Sequence, residues 1–325
     1  MYKRFFNLTR NPFELTPDPE FLFATKRHNE ALAALYYGVR RHKGFVVLTG
    51  EVGTGKTLLL RCLLQLFKQS KDIGYAYVFN SRLSPAEFLQ YILSDLGLNT
   101  SGKNKSEMLL ELGQYLISRN AKKQTTVLIV DEAHHLSPEI LEEVRLLTNL
   151  ETTDEKLLQI LLVGQPELDD KLDSVGLRQL KQRVALRAHL DPLDAEETRG
   201  YIERRLQVAG ANSHVGTLFP AATVAAVHRH SRGFPRLINT ICENALVTGY
   251  AKQVNSITPE IIHGIADDFR LNVVKHQQAE SGDSVGEVDV RKAAKTLLEM
   301  FAALQKAAPP ETELRVPLEV RRREI

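Results

Sequence analysis

The stretch Gly50-Glu51-Val52-Gly53-Thr54-Gly55-Lys56-Thr57 sets an ammonium and a hydroxyl behind a run of glycines in the order G-x-x-x-x-G-K-[ST]. Glycines let a backbone curl until successive N–H groups point at phosphate oxygens, and a helix that follows adds the positive end of its dipole. In such a loop Lys56 reaches the outer phosphates, the Thr57 hydroxyl binds Mg²⁺, and Leu58 carries the contact into the helix. The alternative is a glycine-rich turn without a ligand. The position argues against that, because the loop lies directly after an apolar run and before a helical one. Residues 50 to 58 are thus the candidate ATP-binding set.

A second group of acids supports this. Val127-Leu128-Ile129-Val130-Asp131-Glu132 is a buried strand ending in two carboxylates, the Walker B arrangement. Asp131 would hold Mg²⁺ through its water shell, and Glu132 would orient or deprotonate the attacking water. His134 and His135 follow at once. Neighbouring side chains in a turn are expected to diverge and no third ligand stands at a useful spacing, so a polar contact to the next strand tip is expected rather than a metal site. Gln165, at the end of another apolar strand, can touch the water or the γ-phosphate. Arg178, Arg183 and Arg187 surround the start of the last strand, and in a ring-forming ATPase one of them, with Arg183 the first choice and Arg178 the second, reaches a neighbour's γ-phosphate. Arg236, in the first turn opened by Pro235, can point back at nucleotide as a sensor 2 arginine.

These groups need a frame. Apolar runs at 44–49, 75–79, 127–130, 157–163 and 184–190 alternate with helical spacing at 28–41, 56–69, 85–96, 106–119 and 138–150. Strands with so little polar character fit a parallel sheet covered on both faces. After residue 190 only helical patterns remain, at 195–209, 220–230, 235–251 and 259–269, the last with Thr258 as its N-cap. The expected fold is an α/β P-loop NTPase, a three-layer sandwich on a parallel sheet, followed by a small all-helical lid domain. Its parts are an aromatic and proline-rich segment, 1–27, packing on the core; a nucleotide-binding domain, 28–192; a lid, 193–272; and a linker with an amphipathic helix over 290–306 and a basic tail, 273–325.

Composition agrees with a soluble folded chain: of 325 residues, 43% are hydrophobic and 25% charged. A net charge of +2 means that any nucleic-acid contact would need a local basic patch. Cys62 and Cys242 sit in apolar helical patterns and read as buried free thiols. With neither a signal-like start nor an apolar run long enough to span a bilayer, a cytoplasmic location is expected, any membrane association being made through partners.

Together the motifs resemble the ExeA/GspA family of AAA+ ATPases. The resemblance rests on Phe13-Glu14-Leu15-Thr16-Pro17-Asp18-Pro19, the run from Gly44 to Thr57, Asp131-Glu132-Ala133-His134, Leu162-Val163-Gly164-Gln165-Pro166-Glu167-Leu168, Gln182-Arg183-Val184 with Arg187, and Gly233-Phe234-Pro235-Arg236. It covers residues 1 to 270. It implies a five-stranded parallel core, ATP held between core and lid, and a homo-oligomer. Larger members add a transmembrane helix and a peptidoglycan-binding domain for which this sequence shows no signal, so a cytosolic partner ATPase of a secretion, pilus or exopolysaccharide system is the expectation.

Two other readings stay open. One is a DNA-transaction ATPase, a transposition regulator or loader, for which Arg40, Arg41, His42 and Lys43 with Lys122 and Lys123 supply modest basic clusters. The other is a nucleotide-gated scaffold that hardly turns ATP over. Glu132 argues against the scaffold, because a chain that never hydrolyses has no use for a water-activating carboxylate.

Overall fold

The computed structural model describes residues 1–79, 83–211 and 215–271, and the expected helix over 290–306 and the basic tail lie outside the described residues. The chain opens with a short helix α1 (Tyr2–Phe5) and then α2 (Lys26–Arg40). Strand and helix next alternate through β1 (Phe45–Gly50), α3 (Lys56–Gln69), β2 (Ile73–Val78), α4 (Pro85–Asp95), α5 (Lys105–Ala121), β3 (Thr125–Val130), α6 (Pro138–Leu147) and β4 (Leu158–Gly164). Short helices α7 (Glu167–Asp173) and α8 (Arg178–Lys181) lead to β5 (Leu186–Leu190). Helices α9 (Ala195–Val208), α10 (Val215–Leu218), α11 (Ala221–Ser231), α12 (Pro235–Ala251) and α13 (Pro259–Asp268) follow.

The five strands form one parallel sheet in the order β2-β3-β4-β1-β5. Residues along β1 and β3 alternate between two cores. Phe45, Val47, Leu128 and Val130 face the side covered by α4, α5 and α6, whereas Val46, Leu48, Val127 and Ile129 face α2 and α3. Both layers exclude water, and each fully buried Leu, Ile or Phe contributes roughly 1.5–3 kcal/mol. Gln159, the polar intruder in β4, is 1% exposed. Its amide is satisfied at both ends, accepting from the Gly44 N–H at 2.8 Å and donating to the Lys156 carbonyl at 2.8 Å.

Caps set the helix starts. Ser84 with Glu87, Asn104 with Glu107, and Asp194 with Glu197 form reciprocal capping boxes at α4, α5 and α9. Thr258, expected to cap α13, makes no side-chain cap bond. Helix α7 goes unanticipated because it is only seven residues long and carries three acids in its first turn, too little for a helical period to show.

The opening segment departs from expectation. Phe6, Leu8 and Phe13 bury themselves among Leu193, Ile202, Leu206 and the apolar faces of α11 to α13, not against the α/β core. A long-range contact holds it there: a buried arginine on α9, Arg205, donates to the carbonyls of Pro12 and Glu14 and ties the segment to the helices. Its far end still reaches the core through Arg61, which donates to the Pro17 carbonyl.

Candidate nucleotide site

The loop between β1 and α3 lies at the carboxyl edge of the sheet, where helix α3 begins at Lys56. Two of its glycines have positive φ that other residues adopt poorly, +83° at Gly53 and +103° at Gly55. A Cβ at Gly53 would come within 2.8 Å of the Arg236 Cβ, and one at Gly55 within 3.2 Å of the His28 ring. Thr54 is fully buried, and its hydroxyl donates to the Glu51 carbonyl at 2.8 Å, which tightens the curl. The Lys56 ammonium donates to the carbonyls of Gly50 at 2.7 Å and Glu51 at 2.9 Å. Burial pulls its pKa below the ordinary lysine value, opposed by the charges of Glu132 and Asp131.

His28 is a support that no motif announces. From the first turn of α2 its Nε2 lies 3.2 Å from the Thr54 carbonyl and its Nδ1 2.8 Å from the Thr25 hydroxyl. A ring that donates from Nε2 and accepts at Nδ1 is neutral, consistent with burial pushing its pKa down.

The strand end after β3 brings the acids beside this loop. Asp131 is buried, and its Oδ2 accepts from the Tyr77 hydroxyl at 2.8 Å and lies 3.5 Å from the Thr57 hydroxyl. Its Oδ1 accepts from the Glu132 N–H at 2.9 Å. Burial raises the Asp131 pKa, and the Tyr77 hydrogen bond counters it. Tyr77, on the adjacent edge strand β2, is a site residue that sequence reasoning misses. Its only signal is the alternation that places it level with Ile129, at the carboxyl end of the neighbouring strand.

Glu132 adopts left-handed backbone, φ +51°, which turns its side chain toward the cavity. That cavity is lined by Gly53, Lys56, Thr57, Leu58 and Glu132 on one side, and by Pro235, Arg236 and Asn239 of α12 on the other. Its remaining wall is the opening segment from Glu14 to Asp18, backed by Tyr201 and Arg205. The structure therefore assembles residues from five separate stretches of the chain. The opening segment joins His28 and Tyr77 as a contribution that motif spacing does not reveal.

Gln165 stands at the tip of β4 with its amide against His134 at 2.7 Å, so the expected polar contact from His134 is present. The two histidine rings do not diverge, however. A 3-10 turn over Ala133–His135 holds them side by side, centroids 3.9 Å apart and planes tilted by 42°. Among the described residues no cluster of His, Cys, Asp or Glu is large enough to hold a metal by itself.

Arg183 is not brought to the cavity. Its guanidinium bonds the Arg145 carbonyl at 3.2 Å together with Thr148 and Asn149, closing the carboxyl end of α6, where exposed carbonyls attract a cation. Arg187 pairs with Asp169 at 2.9 Å. Arg178 is exposed and has no ion pair among the described residues. Both cysteines are buried free thiols. No described helix is long and apolar enough to cross a membrane.

Comparison with known proteins places this geometry. Residues 39–172 match the family model for an AAA domain. The chain is 43% identical over 265 residues to General secretion pathway protein A of Aeromonas hydrophila, an alignment covering 81% of this chain and 47% of that one. It is 30% identical over 119 residues to the Mu-like prophage FluMu DNA transposition protein B of Haemophilus influenzae, covering 37% of each. The chain thus spans less than half the length of either curated relative. In fold it is similar to Cdc6p of Pyrobaculum aerophilum, with a TM-score of 0.59 at 19% identity over 77% of this chain and 70% of that one. The phosphate-loop geometry, the parallel sheet with its helical partner and the extent of sequence identity lead to one assignment: this chain belongs to the ExeA/GspA-type AAA+ ATPases.

Proposed function

We propose that this protein binds ATP with Mg²⁺ and hydrolyses it, as an oligomer, to remodel or position protein partners of a bacterial envelope system. The observation that carries the reading is the convergence of Lys56, Thr57, Glu132 and Arg236 on one cavity, with Asp131 behind Thr57. The residues fit the nucleotide. Gly53 and Gly55 hold the loop in the curl that presents backbone N–H groups, and the Lys56 ammonium is held by loop carbonyls beside the place where outer phosphates would lie. Mg²⁺ usually keeps several waters and takes one or two protein ligands beside phosphate oxygens, which Thr57 and Asp131 can supply.

In this reading Gly50 to Leu58 cradle the phosphates, and Arg236 closes over them from the lid. Glu132 accepts the proton of, or orients, the attacking water. Gln165 reads the γ-phosphate. The arginine acting on a neighbouring subunit is Arg178, because Arg183 is committed to the end of α6. Mg²⁺, when bound, offsets the charge that builds on the phosphates. The name of the Aeromonas relative supports a secretion-type partner, and a cytoplasmic chain that meets the membrane through partners fits it.

Calorimetry and phosphate release test the reading. Lys56→Ala should lose ATP binding, while Glu132→Gln should keep it and lower turnover by about 10²-fold or more. Unchanged ATP affinity in the first variant, or unchanged turnover in the second, overturns it.

One observation favours a second reading, a DNA-transaction ATPase. At the amino edge of the sheet Arg41, Lys43, Lys68, Lys71, Lys122 and Lys123 are exposed and without ion pairs among the described residues. Contacts between the end of α2 and the start of β2, and between His42 and Thr125, gather these loops on one side. The transposition-protein relative agrees with such a role. Binding to duplex DNA that weakens steeply with salt would support it, and no binding at low salt would remove it.

A further inference from the structure

Helix α12 carries two asparagines whose amides are used differently. Asn244 gives its NH2 to the Thr240 carbonyl one turn back, at 2.8 Å. Asn239 lines the nucleotide cavity at 7% exposure, and its NH2 donates to nothing among the described residues. A buried N–H left without an acceptor is unfavourable, so this group is completed by whatever enters the cavity.

The orientation of that amide follows from its neighbours. Arg205 can only donate, and it gives one N–H to the Tyr201 hydroxyl at 2.8 Å. The hydroxyl keeps its own hydrogen to donate, and the acceptor it meets is Asn239 Oδ1 at 2.9 Å. With the amide turned over, that hydrogen would have no acceptor among the described residues. Arg205 is held in turn by the carbonyls of Pro12 and Glu14. All three side chains are buried, so the amide is fixed with its oxygen toward α9 and its NH2 left for the cavity.

Position says which part of a nucleotide that NH2 meets. The first turn of α12 touches the phosphate loop at Gly53. Asn239 stands one turn further along the helix than Arg236, about 4.5 Å of rise from that contact. The cavity also presents Leu15 and Val52, large apolar side chains that stay 57% and 50% exposed. Phosphate has no use for apolar walls, whereas a flat aromatic base does.

We propose that Asn239 is a specificity-determining residue for the base: its NH2 donates to a ring nitrogen of adenine, and Tyr201 and Arg205 hold the amide in the orientation that makes it a donor. The proposal rests on the ATP-binding reading above and names the partner of the base within that site. Tyr201 acts through Asn239 as a positioning residue.

Calorimetry on the intact chain, with ATP and with its deaza analogues in which N1, N3 or N7 is replaced by C–H, tests this. The wild type should bind one of these analogues about 10-fold or more weakly than ATP, the loss expected when a buried donor meets no acceptor. Asn239→Leu keeps a similar side-chain volume and removes the donor. It should bind ATP about as weakly as the wild type binds that analogue, and should no longer tell the two apart. Tyr201→Phe frees the amide to turn and should reduce the discrimination at least several-fold. Equal wild-type affinity for ATP and every analogue overturns the assignment, as does an Asn239→Leu variant that discriminates as the wild type does. Where Asn239→Leu does not fold, Tyr201→Phe decides, and undiminished discrimination there overturns the proposal. If the wild-type chain does not bind ATP at all, it is the nucleotide reading that fails, which keeps the two failures distinct.

Discussion

The backbone N–H of Arg236, in the first turn of α12, donates to the carbonyl of Gly53 at 3.3 Å. One hydrogen bond thus joins the helical part to the phosphate loop at the rim of the nucleotide cavity. The two residues also leave no room for a methyl group, since a Cβ at Gly53 would meet the Arg236 Cβ at 2.8 Å.

Gly53→Ala is accordingly expected to strain the loop and push α12 outward. Holding alanine at φ near +83° costs on the order of 1–2 kcal/mol before the clash is counted. The variant should fold with a lowered melting temperature and bind ATP at least several-fold more weakly by calorimetry. Wild-type affinity would show that the loop and α12 do not need this contact.

His28 makes loop stability depend on pH. Its burial holds the folded-state pKa below the ordinary 6.5, so the unfolded chain takes up a proton more readily than the folded one. Between 6.5 and the lower folded value, stability therefore rises with pH and is lost as pH falls. His28→Gln keeps a donor for the Thr54 carbonyl and removes the titration. Its melting temperature should fall less than that of the wild type on acidification below about pH 6.5. Parallel curves for the two proteins would contradict the assignment.

Arg205 is 4% exposed, and its guanidinium holds the carbonyls of Pro12 and Glu14 and the Tyr201 hydroxyl. Arg205→Met leaves those acceptors without a donor, a loss of about 3 kcal/mol by the usual cost of unsatisfied buried groups. Limited proteolysis should then cut within residues 10–20, and ATP affinity should drop because Glu14 to Asp18 line the cavity. Resistance to protease at wild-type level would rule this out.

Arg178 and Arg183 should separate stability from turnover. Arg183→Ala removes the cap on α6 and is expected to lower the melting temperature by a few degrees, in line with about 1 kcal/mol. Arg178→Ala should leave the melting temperature unchanged and reduce only the component of ATPase activity that grows with protein concentration. The opposite pattern would return the trans role to Arg183.

The sequence made the frame legible where chemistry is local. Apolar runs ending in glycine or acid mark β1, β3 and β4, and the contiguous spacing from Gly50 to Thr57 announces the loop. Lys56, Thr57, Glu132 and Arg236 could be foreseen as neighbours because each sits in such a signal. Tyr77, His28, Tyr201 and the segment from Glu14 to Asp18 could not, since their roles come from long-range packing that no spacing encodes. The contacts of Arg183 were hidden for a related reason. A guanidinium near a strand start looks the same in sequence whether or not it meets the carbonyl end of α6, and here it bonds Thr148 and Asn149.

The bond from Arg205 to Pro12 spans 193 positions of the chain. During synthesis the aromatic residues around Phe6 and Phe13 leave the ribosome long before α9 exists to receive them. At about 5–20 residues per second that interval is on the order of 10–40 s. The whole α/β domain can assemble in the meantime, threaded between the two halves of a unit still lacking its partner. Until α9 emerges, the aromatic residues of this segment lack the helices that bury them in the finished fold.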